Sequence, residues 1–300
     1  MNVRTAKAGH AHLEIRGTVN VRIDPKTSTV GDGGRLQWTL AVAPTASIAT
    51  LEPIFGESHA IADRAIQQHL VFLQRLHATG VTTEVLSEPP SVMAFTVADL
   101  AILVRGGAIL MRPTDLARRA ELKAVEAALA RTEIPILGRI EAPGVLDGGD
   151  VLYADGVLYI ATPREDRALT GVPHSPHGNV AGRMQLARIA EANGLRSVEV
   201  ALSAQIRRLR GVASFLEKST VLVAPSVVDC SVFEGCRLIE VERGEEYGAG
   251  VLALGRRRVL ANVRFRKVLP RLRSAGYTVD AIDLWEFGKL GITPSLLAIA

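Results

Sequence analysis

From Leu36 onward the apolar positions fall into short runs bounded by turn residues, and groups of these runs alternate with single stretches of helical spacing. Leu36 to Val42 reads as a strand. A helix is predicted from Ser58, as N-cap, to a stop at Gly80, with Ile66, Leu70, Leu73 and Leu76 on its apolar face and a polar face outward. Val81 to Leu86 reads as a strand ended by Pro89-Pro90. Leu100 to Val104 and Ala108 to Met111 read as a hairpin joined by Arg105-Gly106-Gly107, followed by a helix from Asp115 to about Arg131. The pattern then recurs with a hairpin from Val151 to Ile160 turning at Asp155-Gly156, a helix Val180 to Asn193 and a strand Ser197 to Ala201. It recurs again with strands Thr220 to Ala224 and Leu238 to Val241, a hairpin Gly250 to Val263, a helix Arg264 to Ser274 and a strand Tyr277 to Asp283.

Short strands with one helix per unit and no linker predict an α/β chain arranged as a ring of small β/α modules in one domain, residues 36–300; the same units would also build a two-layer open sheet. Residues 1–35 are polar and weakly periodic, and are expected as a flexible N-terminal arm or an added edge strand.

Composition narrows the function classes. In 300 residues, 48% are apolar and 22% charged, enough for a large buried core. The formal charge is +4, but Lys and Arg are dispersed and aromatics make up only 4%, which argues against a nucleic-acid partner. Arg256-Arg257-Arg258 is expected at a hairpin turn and the arginines from Arg264 to Arg273 on a solvated helix face. Cys230 and Cys236 have neither zinc-ligand spacing nor a matching histidine pair. Without a signal peptide or a membrane-length apolar run, a cytoplasmic protein with no membrane partner is expected.

The candidate chemistry lies in four segments: Ala98-Asp99 ahead of a strand, Arg118-Arg119 in a helix, Asp147-Gly148-Gly149-Asp150, and Arg208-Leu209-Arg210-Gly211. In this order and spacing, from about Leu36 to the C-terminus, the chain resembles the dimethylarginine dimethylaminohydrolase branch of the arginine deiminase and amidinotransferase superfamily. The resemblance implies a five-bladed β/α propeller (pentein) with its active site in the central channel. It also implies attack on a guanidinium carbon: carboxylates grip the cation, a cysteine thiolate adds, and a histidine protonates the departing amine.

Held against that scheme, the chain keeps some roles and loses others. Asp99 matches the guanidinium-binding aspartate, but Ala98 stands where the family has a glutamate before it, which removes one carboxylate from the grip. Asp147 matches the second acidic position, whereas Asp150 is better read as capping backbone amides. Arg118 falls in register with an arginine that holds the substrate carboxylate, and a surface arginine on an amphipathic helix fits it equally. His177, in His177-Gly178-Asn179, stands where a second such arginine belongs. Arg208 occupies the catalytic histidine position and Pro294 the nucleophile position; arginine stays protonated and proline carries no thiol. Ser295 would need a general base to replace the cysteine. His174 and His177 could join Asp99 or Asp147 at a metal, although histidines in a Pro-rich loop more often lie on the surface.

The resemblance with its two lost roles implies a pseudoenzyme that needs no cofactor and no metal. It would bind an arginine-like small molecule, a protein partner or a second copy of itself. The alternative is a diverged hydrolase of guanidino C–N bonds that works through other residues. Arg208 is further expected to enter the channel and pair with Asp99 and Asp147 in place of a substrate's cation.

Overall fold

A computed structural model describes residues 29–54, 58–86, 91–164 and 177–300. Five small sheets make five blades. The module is clearest in β3 (Ala101–Val104) and β4 (Gly107–Leu110), an antiparallel hairpin. A helix, α2 (Leu122–Arg131), then returns the chain to β5 (Ile136–Arg139), parallel to β4. The unit repeats as β6 (Val151–Ala154), β7 (Val157–Pro163), α3 (Val180–Ala192) and β8 (Arg196–Leu202). It repeats again as β12 (Leu252–Gly255), β13 (Arg258–Asn262), α4 (Val268–Ser274) and β14 (Thr278–Ile282). The blade between them, β9 (Ala213–Glu217), β10 (Thr220–Val223) and β11 (Arg237–Glu240), crosses over through a 3-10 turn instead of a helix.

The first blade closes the ring. Its parallel strands β1 (Trp38–Val42) and β2 (Thr82–Leu86) are joined through α1 (Ala62–Ala78), and the missing third position is filled from the other end of the chain. Ile299 bridges antiparallel to Leu40, donating its N–H to the Leu40 carbonyl at 3.0 Å, while Thr39 Oγ1 donates to the Ile299 carbonyl at 2.7 Å. Ile299 is fully buried, so Ile299→Ala is expected to cost about 3 kcal/mol. Urea unfolding checks this, and a loss below about 1 kcal/mol, the small end of such core changes, would show that the seam does not hold the ring.

The expected ring, its helices and most strands are present. The hairpin tips fall at Arg105-Gly106, Asp155-Gly156 and Arg256-Arg257, the last with both arginines at positive φ. Three features differ. Ser58 does not cap α1: the helix begins at Ala62, and the Ile61 N–H donates to the buried Glu286 carboxylate at 2.8 Å, which also holds Lys289. The buried stripe of α1 is Ala65, His69, Phe72 and Leu76, whereas Leu70 is exposed. His69 packs against Phe72 and Phe287, and burial pushes its pKa down to about 4, so it serves there as a neutral aromatic ring. Strand β9 was not expected; its small and polar residues conceal the period.

Residues 1–28 of the expected arm lie outside the described residues, and the part from Thr29 to Arg35 packs on the ring. It forms a 3-10 turn at Val30–Asp32 against the hairpin tips of several blades. Gly31 comes so close to β6 that a Cβ there would sit 2.3 Å from the Tyr153 carbonyl oxygen. Asp32 accepts from Arg105 at 2.7 Å and from the Tyr153 hydroxyl at 2.8 Å, and Leu36 N–H donates to the Leu254 carbonyl. This segment therefore covers the hairpin-tip end of the inner strands β6 and β12. Among the described residues no helix is long and apolar enough to cross a membrane.

Candidate functional site

At the opposite end, a 3-10 turn leads into the inner strand of each blade. These turns are Val97–Asp99, Gly148–Asp150, Leu209–Gly211, Glu246–Ala249 and, near the C-terminus, Pro294–Leu296. The residues just before them occupy matching positions: Thr96, Asp147, Arg208 and Thr293 each flank a turn at its N-terminal side. Fivefold repetition of one local motif thus gathers side chains that are far apart in sequence around one axis.

Three carboxylates meet there, all buried: Asp99, Asp147 and Asp150. Arg208, held in extended backbone conformation, sends its guanidinium between them. Its Nε donates to Asp99 Oδ1 at 2.9 Å, one terminal nitrogen lies 3.2 Å from Asp147 Oδ2, and the other lies 3.9 Å from Asp150 Oδ2 while donating to the Arg207 carbonyl. Gly149 permits the approach, since a Cβ there would lie 2.6 Å from Asp99 Oδ1 and 2.8 Å from the Arg208 Cδ.

Asp99 is fully coordinated. Oδ1 accepts from Gly149 N–H and Arg208, and Oδ2 accepts from Thr96 Oγ1 at 3.1 Å, Arg118 at 2.8 Å and Arg208 at 3.4 Å. A carboxylate offers about four lone-pair sites, so none is left for an added cation. Burial pushes the Asp99 carboxyl up, but Arg208 and Arg118 outweigh it and hold the group below its usual value. Asp147 goes the other way. It accepts from Thr114 N–H and Oγ1, yet burial, joined by repulsion from Asp99 and Asp150, overcomes Arg208 and raises it to about 6. For Arg208, burial opposes the charge, and the three carboxylates more than offset it, keeping the guanidinium firmly protonated.

Arg118 is not a surface arginine. It is buried in the 3-10 turn ahead of α2, paired with Asp99 at 2.8 Å and Glu121 at 3.3 Å, and it donates to the Thr96 hydroxyl and carbonyl. His177 is not at the surface either: it is fully buried, with Nδ1 2.9 Å from Asp150 Oδ1. Asp150 also accepts from Leu209 N–H at 3.3 Å and so caps the Leu209–Gly211 turn. His174 lies outside the described residues, and among those described no group of three or more His, Cys, Asp or Glu side chains is arranged to hold a metal ion.

Pro294 begins its 3-10 turn as a buried residue, and the neighbouring Ser295 hydroxyl donates to the Arg210 carbonyl at 2.6 Å. Cys230 and Cys236 are free, partly buried and in the β10–β11 crossover region, and burial raises both thiols. Sequence reasoning did not single out Thr96, Thr114 or Glu121 for the cluster, because hydroxyl and i,i+3 partners carry no motif. Arg210 was visible only as part of the Arg-Leu-Arg-Gly segment.

A ring of five small blades around a buried cluster of carboxylates defines a pentein of the guanidino-group-modifying superfamily. A curated dimethylarginine dimethylaminohydrolase from Streptomyces coelicolor is 32% identical over 228 residues, spanning 75% of this chain and 81% of the relative. One from Pseudomonas aeruginosa is 26% identical over 231 residues, spanning 76% and 84%. The chain belongs to the dimethylarginine dimethylaminohydrolase family. No model of a protein family matches it.

Among solved structures, the Pseudomonas aeruginosa enzyme complexed with citrulline superposes with a TM-score of 0.76 at 23% identity, covering 88% of this chain and 98% of that one. The N-terminal domain of the cyanobacterial arginine dihydrolase ArgZ, bound to product, gives 0.72 at 16% identity, covering 87% and 96%. At these identities the likeness establishes the fold.

Proposed function

We propose that this chain is a non-hydrolysing member of the family whose guanidinium site is filled by its own Arg208. The observation that carries this reading is the Arg208 guanidinium seated 2.9 Å from Asp99 and 3.2 Å from Asp147. Cleavage of a guanidino C–N bond needs a nucleophile and a group that gives and takes a proton. Arginine at position 208 cannot give up its proton at neutral pH, and Pro294 has no nucleophilic atom. The Ser295 proton is committed to a backbone carbonyl. Arg118, where the family resemblance implies a substrate-carboxylate ligand, spends its donors on Asp99, Thr96 and Glu121. An arginine-like ligand, suggested by the relative solved with citrulline, would have to displace Arg208 before it reached a carboxylate.

Assays of citrulline and amine release from arginine, monomethylarginine and dimethylarginine at neutral pH are expected to stay at background. Turnover that survives repurification and disappears in Asp147→Asn would overturn the reading in favour of a diverged hydrolase. Restoring Arg208→His together with Pro294→Cys is not expected to create activity, because Ala98 and His177 also depart from the family pattern.

A further inference from the structure

The inner strands β3 and β6 lie in different sheets, so no ladder of backbone hydrogen bonds joins them, yet the carboxylate cluster depends on their spacing. Asp99 precedes β3, while Asp147 and Asp150 precede β6. At this end the two turns touch: a Cβ on Gly148 would lie 2.2 Å from the Ala98 carbonyl oxygen, and the Gly149 N–H donates to Asp99 Oδ1 at 3.2 Å.

A second tie joins the other ends of the same two strands. Asp32 accepts at Oδ1 from Arg105, the residue after β3, at 2.7 Å, and at Oδ2 from the hydroxyl of Tyr153, in β6, at 2.8 Å. The Arg105 N–H also donates to the Tyr153 hydroxyl at 3.2 Å. That hydroxyl keeps its proton, because burial, with the Asp32 bond second, pushes Tyr153 up to about 12. Asp32 is itself held in place: its side chain is only 4% exposed, and Thr29 Oγ1 donates to it at 2.6 Å. The turn that carries it is seated on the ring, where the Asp155 N–H donates to the Gly31 carbonyl at 3.0 Å and Arg35 donates to the Gly80 carbonyl at 3.1 Å.

We propose that Asp32 is a positioning residue for the carboxylate cluster: by bridging Arg105 and Tyr153 at the hairpin tips it sets the spacing of β3 and β6, and hence of Asp99 from Asp147 and Asp150. Two struts tied at both ends form a closed frame. Each strut is a four-residue strand, roughly 13 Å long, with three of its four residues buried. Close-packed strands pass a displacement along instead of absorbing it, so a change at the tips reaches the turns. This goes beyond the reading of Arg208 and does not depend on the absence of turnover.

The test is amide hydrogen exchange on the full chain, comparing wild type with Asp32→Asn, which keeps the shape of the side chain and loses its charge. Two amides are read: Gly149, bonded to Asp99 across the two turns, and Val241, bonded to the Val223 carbonyl in another blade. Gly149 is expected to exchange about tenfold faster in the variant, the scale of a lost hydrogen bond to a charged group, with Val241 unchanged. An unchanged Gly149, or an equal rise at both amides, overturns the proposal, because a merely structural contact would act on overall stability alone. Tyr153→Phe, which breaks only the β6 side of the bridge, gives the same comparison should Asp32→Asn fail to fold, and the same selective rise is expected. The double variant should exchange at Gly149 no faster than Asp32→Asn, since both changes break one bridge; additive effects overturn the proposal. The Asp99–Gly149 contact is read directly, so this result stands apart from whether Arg208 blocks turnover.

Discussion

Arg208→Ala is expected to lower stability at pH 7 by about 3–5 kcal/mol, the range for removing one partner of a buried ionic cluster. Three buried carboxylates share this cation, and after its removal Asp99 keeps its ion pair with Arg118 while Asp147 and Asp150 lose their contacts with the Arg208 guanidinium. The loss should depend on pH. Ionised Asp147 is already disfavoured in the folded protein, with a pKa of about 6, and without Arg208 its neutral form gains further ground. As pH falls from 7 toward 4.5, a proton replaces the missing cation and the gap between variant and wild type narrows. Urea unfolding at a series of pH values measures both effects. Methylguanidine supplies an independent check: it should stabilise Arg208→Ala and leave the wild type unchanged, because the side chain and the small cation compete for the same carboxylates. A loss below about 1 kcal/mol at pH 7, typical of an exposed pair, would mean that Arg208 does not neutralise the cluster.

Much of this site was legible because it rests on short local motifs. Asp99, Asp147 and Arg208 lie beside turns whose Gly and Asp content marks them in the sequence, and the repeated modules dictate that such turns meet at one end of a ring. The chemistry of Arg208 and Pro294 follows from residue type alone. Depth was not legible. Arg118 had a surface reading that fitted an amphipathic helix and His177 one that fitted a Pro-rich loop, and only packing against Thr96, Glu121 and Asp150 reveals them as interior groups.

The two misread features of α1 share one cause: tertiary partners overrode local signals. The start of α1 is set by Glu286, far along the chain, and not by Ser58. Its buried face includes a histidine because aromatic neighbours accept a neutral imidazole, so a stripe drawn from aliphatic residues alone is out of phase. The closing contact of Leu40 with Ile299 joins the two ends of the propeller, and no pattern in a single segment encodes it.

Asp99→Asn and Asp147→Asn, though both remove a carboxylate from the same guanidinium, are expected to change stability in opposite ways. Asp99→Asn should cost about 3–5 kcal/mol at pH 7, because it strips an anion from two buried arginines at once. Asp147 has a folded-state pKa near 6 against 3.8 for its ordinary value, so the folded protein binds the proton more tightly than the unfolded chain. Its ionisation therefore subtracts stability as pH rises from about 4 to about 6, by on the order of 3 kcal/mol, and the penalty stays constant above that window. The lowered pKa of Asp99 acts below this window, where its stabilising contribution is lost on protonation. Asp147→Asn, neutral at every pH, should then be at least as stable as the wild type at pH 7 and should lack the rise in stability on acidification from 6 to 4. Paired unfolding curves for the two variants at pH 4.5 and 7 decide the matter. Equal losses in both at pH 7 would mean that Arg208 holds Asp147 as firmly ionised as Asp99, and the division of the site into one satisfied and one strained carboxylate would fail.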